Sequence, residues 1–369
     1  MAARVVAAMS GGVDSSVAAY LLKREGYDVI GLFMRTGAHG AADSAHSRKR
    51  GCCSALDAGD ARRVADQLDI PFYALDFESD FNRIIDYFAD EYVVGRTPNP
   101  CVVCNNWLKF GKLWEYGQQL RADYVATGHY ARLIHSEGGT ELHRALDPAK
   151  DQSYVLFGLQ PSILSRILFP LGSLVKEQVR DTARAAALAV ADKPDSVEIC
   201  FVPDGDHGSL IRERRPGRAA AGPIVDTSGR MLAEHQGIEN FTVGQRKKLG
   251  FAAGERRYVL RVVASENTVV VGDREELLSQ GLIASGVNWL LDTPPGVPLD
   301  CTAKIRYRHP PAPARAIPLA SDSVRVDFDE PQSAITPGQA VVFYAGSRVL
   351  GGGWIDRSLE TIGESSGCA

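Results

Sequence analysis

The sequence predicts an α/β protein in which a doubly wound, mostly parallel sheet precedes a small β-rich domain and a C-terminal β-barrel. Strand patterns alternate with helical patterns through the first half, whereas short strands punctuated by Gly and Pro fill the second half. The 369 residues suffice for two or three domains. We expect a catalytic domain at 1–205, a β-rich domain at 206–278 and a barrel at 279–369.

The first half carries the elements of the parallel sheet. Residues 4–8 are an apolar run that ends before a Gly pair, and residues 15–25 have helical spacing. The other predicted elements are strands at 27–34, 72–77 and 123–127 and helices at 56–68, 81–93 and 107–120. Because ligands of such sheets bind beyond the carboxyl ends of the strands, we expect the site there. Residues 39–54 are polar and without periodicity, which predicts a mobile loop.

The second half is typical of antiparallel strands. Residues 258–263 and 268–271 each have the alternating pattern of a short strand. They flank a short polar turn, which predicts a hairpin. Residues 323–328 and 339–344 continue the pattern, with a Pro-Gly turn between them. These short strands predict the β-rich domain and the barrel.

The amino-acid composition excludes several classes of protein. A hydrophobic share of 45% and a charged share of 23% exclude collagen-like and disordered chains. No apolar run approaches the ~20 residues of a membrane-spanning helix, so we expect a cytoplasmic protein without a membrane partner. The net charge of −4 argues against a nucleic-acid partner, but local basic clusters at 212–218 and 245–248 can still attract phosphate.

The segment from Ser10 to Ser16, SGGVDSS, lies between the first strand and the first helix. Two glycines let backbone N–H groups approach an anion, and the helix N-terminus adds positive potential. This pattern favours a phosphate or pyrophosphate ligand over a plain turn capped by Asp14. A Walker loop would place Lys before the Ser, and none is present.

Three cysteines are candidates for chemistry. Cys101 and Cys104 form a CxxC pair just before a predicted helix, and Cys200 lies far along the chain. The pair alone fits a zinc half-site, a redox pair or iron–sulfur ligands. Zinc is disfavoured because the adjacent Cys52 and Cys53 cannot supply a second spaced pair; a sulfur-relay role for them stays open. Seven cysteines in all are too few for a disulfide scaffold.

A series of motifs carries a resemblance to a known family. AMSGGVDSSVAAYLL, GRTPNPCVVCN, DYVATGHYAR, LDPAKDQSYVL, EICF, FTVGQRKKLG, IRYRH and TPGQAVVFY occur in one order along nearly the whole chain. Together they resemble the tRNA-specific 2-thiouridylases of the ATP pyrophosphatase superfamily. The resemblance implies ATP-dependent transfer of sulfur to C2 of the wobble uridine in tRNAs for Lys, Glu and Gln. It also implies Mg²⁺ and a sulfur donor such as a cysteine desulfurase or a relay protein.

The resemblance implies a nucleotide site around the SGGVDSS segment. Asp14 would place Mg²⁺ near the phosphates, Met34 would pack on adenine, and Gly128 would contact the nucleotide. The remaining implied contacts are Ala8, Met9, Ser10, Gly11, Gly12, Val13, Ser15 and Ser16.

For the cysteines the resemblance implies two schemes. In one, Cys200 carries a persulfide and Cys104 releases the product by forming a disulfide. In the other, Cys101, Cys104 and Cys200 hold three irons of a [4Fe–4S] cluster that binds sulfide at the fourth. The family commonly has Asp where this chain has Cys101, and we favour the cluster slightly because the third thiol suits it.

The resemblance also implies tRNA contacts. Asn99 and Pro100, with Cys101 beside them, would face the target base, and Tyr307 could stack on a base. The other implied contacts are His129, Lys150, Asp151, Gln152, Arg306 and Gln339. Arg246 and Lys247 are basic candidates from the residues themselves, because they follow a strand-like segment and precede a Gly-bounded turn.

Two other hypotheses stay open. The chain could be another adenylating enzyme of this superfamily, of the amide synthetase or tRNA-lysidine synthase type, although those chemistries use nitrogen nucleophiles and need no thiolate. It could instead be a non-catalytic, RNA-binding iron–sulfur protein, which the intact SGGVDSS segment disfavours.

Overall fold

A computed structural model of the chain describes residues 2–37, 55–195, 199–202, 205–218, 220–250, 256–291, 293–319 and 322–359. The predicted loop at 39–54, with Cys52 and Cys53, therefore lies outside the described residues. The chain forms two compact units. The first consists of Met1–Ile85, Pro100–Gly205 and Ser347–Val349; the second consists of Asp86–Asn99, Asp206–Gly346 and Leu350–Ala369.

The first unit is built on a parallel sheet. Its strands are β1 (Arg4–Ala8), β2 (Asp28–Arg35), β3 (Phe72–Asp76), β4 (Tyr124–Ala126), β5 (Ala131–Ser136), β6 (Gly139–Arg144) and β7 (Ile167–Leu168). In the described residues, five of them form the order β3-β2-β1-β4-β7, and every neighbouring pair is parallel. The predicted fold class is confirmed. The antiparallel hairpin of β5 and β6 was not predicted.

Helices connect these strands. They are α1 (Val13–Arg24), α2 (Ala55–Gln67), α3 (Glu78–Val93), α4 (Pro100–Val103), a π-helix (Cys104–Lys112), α5 (Leu113–Gln119) and α6 (Lys176–Ala185). The helix predicted at 107–120 begins earlier, at Pro100, because proline fits the first turn of a helix. Short 3₁₀ turns occur at Ser153–Leu156, Pro161–Arg166, Ile238–Asn240, Ala264–Glu266 and Glu275–Leu277.

Apolar residues of the strands and of α1 pack together in the core of the first unit. β-Branched residues of β1, including the fully buried Val5, pack between α1 and the neighbouring strands. Val17 and Leu22 lie on the buried face of α1, and Phe33 of β2 joins them. In α1, Asp14 lies in the first turn and two basic residues lie in the last, so the charges complement the helix dipole.

The second unit contains two β structures. Its elements are α7 (His207–Arg214), β8 (Gly222–Val225), β9 (Met231–His235), β10 (Tyr258–Val263), β11 (Thr268–Gly272), β12 (Leu278–Trp289), β13 (Leu299–Lys304), β14 (Ala312–Pro318), β15 (Val324–Ser333), β16 (Ala340–Ala345) and β17 (Arg348–Ser358). β8 to β11 form one sheet in the order β10-β11-β8-β9. The predicted hairpin of β10 and β11 is present, and Asn267 in its turn has a left-handed φ of 48°.

The C-terminal strands close into a barrel. β12, β15, β14, β13, β16 and β17 are neighbours in that order, and pairing of β12 with β17 closes the ring. Its interior is filled by apolar residues such as Val326, Val341 and Phe343, each fully buried. The β-rich domain and the barrel predicted from the sequence are both present. No helix in the described part of the chain is long and apolar enough to cross a membrane.

Candidate functional site

The candidate site begins where β1 ends. β1 pairs with β2 on one side and with β4 on the other, so the strand order reverses beside it. A crevice at such a reversal is where open α/β sheets bind ligands. The residues that follow β1 here are Ser10–Ser16, which we call the phosphate loop.

Gly11 gives the phosphate loop its shape. Its φ is +73°, and a Cβ atom at this position would lie 2.2 Å from the Asp57 carbonyl oxygen. Only glycine tolerates both the left-handed backbone and this approach to the first turn of α2. The chain then turns at Gly12, whose extended backbone starts α1.

Serine hydroxyls hold the loop together. The Ser15 hydroxyl accepts a hydrogen bond from the Ser10 N–H (3.1 Å) and donates to the Gly12 carbonyl (3.1 Å). The Ser16 hydroxyl donates to the same carbonyl at 2.9 Å. The loop is thus fixed at the N-terminus of α1, where the helix dipole favours an anion.

A second glycine brings another loop against α1. Gly128 follows β4, and a Cβ atom there would lie 2.7 Å from the Ser15 backbone nitrogen. The backbone after β4 therefore packs directly on the first turn of α1. Met34, half-buried near the end of β2, lies on the strand next to β1. Gly128 and Met34 thus stand at the same edge of the sheet as the phosphate loop.

Asp14 carries the acidic function of the loop. Its carboxylate is 2.7 Å from the Lys176 ammonium and accepts a hydrogen bond from the Tyr130 hydroxyl at 2.8 Å. Burial and the neighbouring Asp14 charge raise the pKa of Tyr130, so its phenol stays protonated and donates. A single carboxylate beside a phosphate site suits Mg²⁺, which is usually held by one or two carboxylates together with phosphate oxygens.

Asp195 gathers three cations beside this carboxylate. Its oxygens lie 2.7 Å from the Lys150 ammonium, 2.8 Å from that of Lys176 and 2.8 Å from the Arg180 guanidinium. Burial raises the pKa of Asp195, but hydrogen bonds from Lys150 and Lys176 outweigh burial and hold that pKa at about 2. Asp195 is therefore ionised at neutral pH.

Lys193 binds the backbone of the phosphate loop. Its ammonium donates to the Gly11 carbonyl (2.8 Å), to Asp57 (2.6 Å) and to Asp60 (2.6 Å). Burial lowers the pKa of Lys193, but the two carboxylates raise it more, so the ammonium stays charged. Because the peptide is planar and trans, fixing the Gly11 carbonyl also aims the Gly12 N–H in the opposite direction.

Reading the sequence missed Lys176, Lys193 and Asp195. One signal was present, because Lys176 is the first residue of α6, where the helix dipole disfavours a cation. A lysine at that position needs a carboxylate partner, and it has two. Lys193 and Asp195 gave no such signal, since their partners are distant in sequence.

The cysteines occupy different local environments. Cys101 is exposed in α4, Cys104 is half-buried at the start of the π-helix, and Cys200 is half-buried. π-Helical segments are rare and are frequent at functional sites. The described residues contain no group of three or more His, Cys, Asp or Glu side chains placed to hold a metal ion. A [4Fe–4S] cluster held by the three thiols stays a prediction.

The tRNA contacts implied for the first unit are mostly engaged within the protein. His129 is buried and packs near Phe110 and Phe169, and burial lowers its pKa well below the usual range. Asp151 is buried and accepts from the Ala145 and Ser153 backbone N–H groups.

The neighbours of Asp151 also have partners. Gln152 accepts from the Tyr130 N–H, and Lys150 binds Asp195. Pro100 is buried. RNA contacts by His129, Lys150 and Gln152 stay predictions.

In the second unit Gln339 supports the segment before Asn99. Its side-chain amide donates to the carbonyls of Thr97 (2.9 Å) and Pro98 (3.2 Å). A Cβ atom at Gly338 would lie 2.9 Å from the Thr97 backbone, so this turn packs tightly on the segment. Gln339 thus positions the chain that leads to Asn99, and its RNA contact stays a prediction.

The basic candidates of the second unit separate into two groups. Arg215 is paired with Asp86 and Asp90, so at least this member of the 212–218 cluster serves the fold. By contrast, Arg246 and Lys247 are exposed. Tyr307 is 38% exposed, and the Lys304 ammonium lies 5.6 Å from the centre of its ring; Arg306 donates to the Ser333 carbonyl at 2.8 Å. Arg246, Lys247 and Tyr307 are thus accessible to solvent, and their RNA contacts stay predictions.

We predict that Gly11→Ala weakens binding of ATP by at least about tenfold, since roughly 1–2 kcal/mol of left-handed strain adds to the clash with Asp57. Gly26→Ala is the matched control: its φ is +89° and no atom lies within 4 Å of the added Cβ. Isothermal calorimetry with ATP should show weakened binding only for Gly11→Ala. Equal affinity in both variants would contradict this account of the loop.

Comparison with known proteins agrees with this architecture. The family profile described as tRNA methyl transferase HUP domain matches residues 3–204. The profile described as tRNA methyl transferase PRC-barrel domain matches residues 211–273. The profile described as aminomethyltransferase beta-barrel domain matches residues 279–355.

Full-length relatives give the family. The tRNA-specific 2-thiouridylase MnmA of Rhodopirellula baltica is 49% identical, covering 98% of this chain and 98% of the relative. The enzyme of the same name from Geotalea uraniireducens is 51% identical, with coverages of 97% and 96%. That of Carboxydothermus hydrogenoformans is 48% identical, with coverages of 96% and 98%. The chain belongs to the tRNA-specific 2-thiouridylase family.

Proposed function

We propose that this protein is a tRNA uridine 2-sulfurtransferase of the cytoplasm. It uses ATP to replace the C2 oxygen of the wobble uridine by sulfur in tRNAs for Lys, Glu and Gln. The observation that carries the proposal is the phosphate loop, which in a chain of this family presents a shaped anion site at the N-terminus of α1. Cys104 and Cys200 belong to the same unit as that loop.

The first chemical step is adenylation. The C2 oxygen attacks the α-phosphorus of ATP, a bond forms between that oxygen and AMP, and pyrophosphate leaves toward the phosphate loop. Asp14 would hold Mg²⁺, which would neutralise charge on the phosphates when bound. Lys176 lies 2.7 Å from Asp14, so a fixed cation already stands beside the departing anion.

The second step is sulfur transfer. The terminal sulfur of a Cys200 persulfide attacks C2, and AMP departs with its oxygen. The Cys104 thiolate then attacks the Cys200 sulfur, which releases 2-thiouridine and leaves a Cys104–Cys200 disulfide. A thiol reductant restores the two cysteines, and a cysteine desulfurase or relay protein reloads Cys200. Thiolates and persulfides are strong nucleophiles near neutral pH, which explains the need for cysteine.

The target base must leave its stack to reach these groups. Enzymes that modify a base commonly extrude the nucleotide into a pocket. We assign Asn99 and Pro100 to the target base, and Tyr307 with Arg306 to stacking and phosphate contact elsewhere on the tRNA. Exposed Arg246 and Lys247 supply further phosphate contacts.

Replacement of single cysteines tests the chemistry. We predict that Cys200→Ser and Cys104→Ser abolish 2-thiouridine formation, whereas Cys101→Ser retains it. The matched control is Cys301→Ser: Cys301 lies in β13, and burial raises its pKa to about 11, so its thiol is unreactive at neutral pH. Mass spectrometry of nucleosides from tRNA treated with enzyme, ATP and a persulfide donor measures the product.

Each outcome of that experiment has a meaning. Activity in Cys200→Ser would contradict the persulfide scheme. Loss of activity in Cys101→Ser, with four irons found in wild-type protein, would favour the cluster instead. Wild-type protein that releases pyrophosphate with tRNA but makes no thiolated base would support a nitrogen-using adenylating enzyme.

Replacement of basic residues tests RNA binding. We predict that Arg246→Ala with Lys247→Ala weakens tRNA binding and makes its salt dependence shallower, by about one unit of slope for each lost phosphate contact. The control is Arg230→Ala, an exposed arginine of the same unit that is paired with Asp226. Binding is measured by filter retention between low and moderate salt. An unchanged slope in the double variant would show that these two side chains only support the fold.

A further inference from the structure

We propose that Tyr130 is a positioning residue for the magnesium–nucleotide complex: its hydroxyl and the Lys176 ammonium bind Oδ1 of Asp14 and leave Oδ2 for the ion. The inference rests on the proposed function, in which Asp14 would hold Mg²⁺, and deepens it. Tyr130 touches neither substrate nor metal in this account. Its effect passes through the Asp14 carboxylate.

The two donors to Asp14 share one oxygen. The Tyr130 hydroxyl donates to Oδ1 at 2.8 Å, and the Lys176 ammonium donates to the same atom at 2.7 Å. Among the described residues, no hydrogen bond or ion pair reaches Oδ2. The Asp14 side chain is 32% exposed, whereas that of Lys176 is only 13% exposed. The carboxylate is therefore held at one oxygen and keeps the lone pairs of the other.

A carboxylate held in this way suits Mg²⁺. The ion demands octahedral geometry and is usually bound by one or two carboxylates together with phosphate oxygens and water. Hydrogen-bonded partners orient a ligating carboxylate, and their loss typically costs about 10- to 100-fold in metal affinity. Lys176 alone is poorly suited to this role, because its positive charge repels a nearby cation. The neutral Tyr130 hydroxyl orients Oδ1 without that repulsion.

Other contacts hold Tyr130 itself in place. Its backbone N–H donates to the Gln152 side-chain oxygen at 2.9 Å, and the Gln152 backbone N–H donates to the Tyr130 carbonyl at 2.8 Å. The Lys176 ammonium lies 5.8 Å from the centre of the Tyr130 ring, and Tyr130 is only 2% exposed. Both the main chain and the ring of Tyr130 are thus restrained, which fixes the position of the hydroxyl.

The segment that carries Tyr130 contacts Asp14 a second time. A Cβ atom at Gly128, two residues earlier, would lie 2.8 Å from the Asp14 carbonyl carbon. The Gly128 backbone therefore packs on the peptide of Asp14, whereas Tyr130 binds the carboxylate. The residues that follow β4 thus fix both the main chain and the side chain of one residue in the first turn of α1.

The test measures how much Mg²⁺ strengthens nucleotide binding. Wild-type protein and Tyr130→Phe, which keeps the ring and removes only the hydroxyl, are titrated with α,β-methylene-ATP by calorimetry, once in Mg²⁺ and once in EDTA. We expect Tyr130→Phe to raise the Kd in Mg²⁺ about tenfold and the Kd in EDTA less than about twofold, since the lost partner serves the metal ligand. A residue that only supports the fold would change both constants alike.

Two comparisons make the result specific. Tyr92→Phe is the matched control, because Tyr92 is a buried tyrosine of the second unit whose hydroxyl is hydrogen-bonded to Thr242; both constants should equal those of wild type. Asp14→Asn should lose the effect of Mg²⁺. Adding Tyr130→Phe to Asp14→Asn should then change neither constant further, since Tyr130 acts through that carboxylate.

A thermal melt shows whether each variant is folded. Should Tyr130→Phe fail to fold, Gln152→Ala removes the acceptor of the Tyr130 N–H. Because this assay contains no tRNA, an RNA contact of Gln152 does not affect it, and Gln152→Ala should also raise the Kd in Mg²⁺ alone.

The outcomes separate this inference from the proposed function. An equal change of both constants in Tyr130→Phe, no change in either, or a further change in the double variant would overturn the inference while the function stands. An effect of Mg²⁺ that survives in Asp14→Asn would overturn the metal role of Asp14 and the inference with it. Wild-type protein that binds nucleotide more tightly in Mg²⁺ but forms no 2-thiouridine would overturn the proposed function alone.

Discussion

The structure of the site depends on the contact between Gly11 and the first turn of α2. Gly11 adopts a left-handed backbone against the Asp57 carbonyl, and the half-buried Lys193 ammonium binds the Gly11 carbonyl together with Asp57 and Asp60. This group of charges is costly to break, because loss of one partner leaves a partly buried charge without compensation. This contact fixes the loop that follows β1 before any ligand binds, which is the condition for electrostatic stabilisation of a leaving phosphate.

Ion pairs of lysine and arginine with aspartate surround that contact. Lys193 binds the Gly11 carbonyl, Lys176 binds Asp14, and Asp195 connects Lys176 with Lys150 and Arg180. Three cations contact Asp195 and Asp14, and Lys193 contacts Asp57 and Asp60, so four cations and four carboxylates form ion pairs at this edge of the sheet. Each of these cations is thus held in place by a carboxylate before a nucleotide binds.

Much of this could be predicted from the sequence, and the rest could not, for physical reasons. The β1–loop–α1 unit was predictable because a β-branched run, two glycines and a helix are local patterns, and Arg4–Ala8 matches its prediction residue for residue. The Asp195 contacts were not predictable, since ion pairs across 15 to 45 residues leave no periodic signal. The iron–sulfur prediction stays a prediction, because three cysteines in a sequence do not specify their separation in space. Likewise, the sequence cannot show that the basic cluster at 212–218 is paired within the protein. Arg212 binds Glu239, and Arg215 binds Asp86 and Asp90.

Transfer of label from ATP is the most direct test of the central claim that the phosphate loop supports adenylation of RNA before sulfur arrives. Cys200→Ser protein, which lacks the nucleophile, is mixed with tRNA and ATP labelled at the α-phosphate, and the RNA is separated on a denaturing gel. We expect label to accumulate on tRNA with Cys200→Ser and to disappear when wild-type protein loaded with persulfide is added. Label found only in free AMP or on the protein would contradict the account.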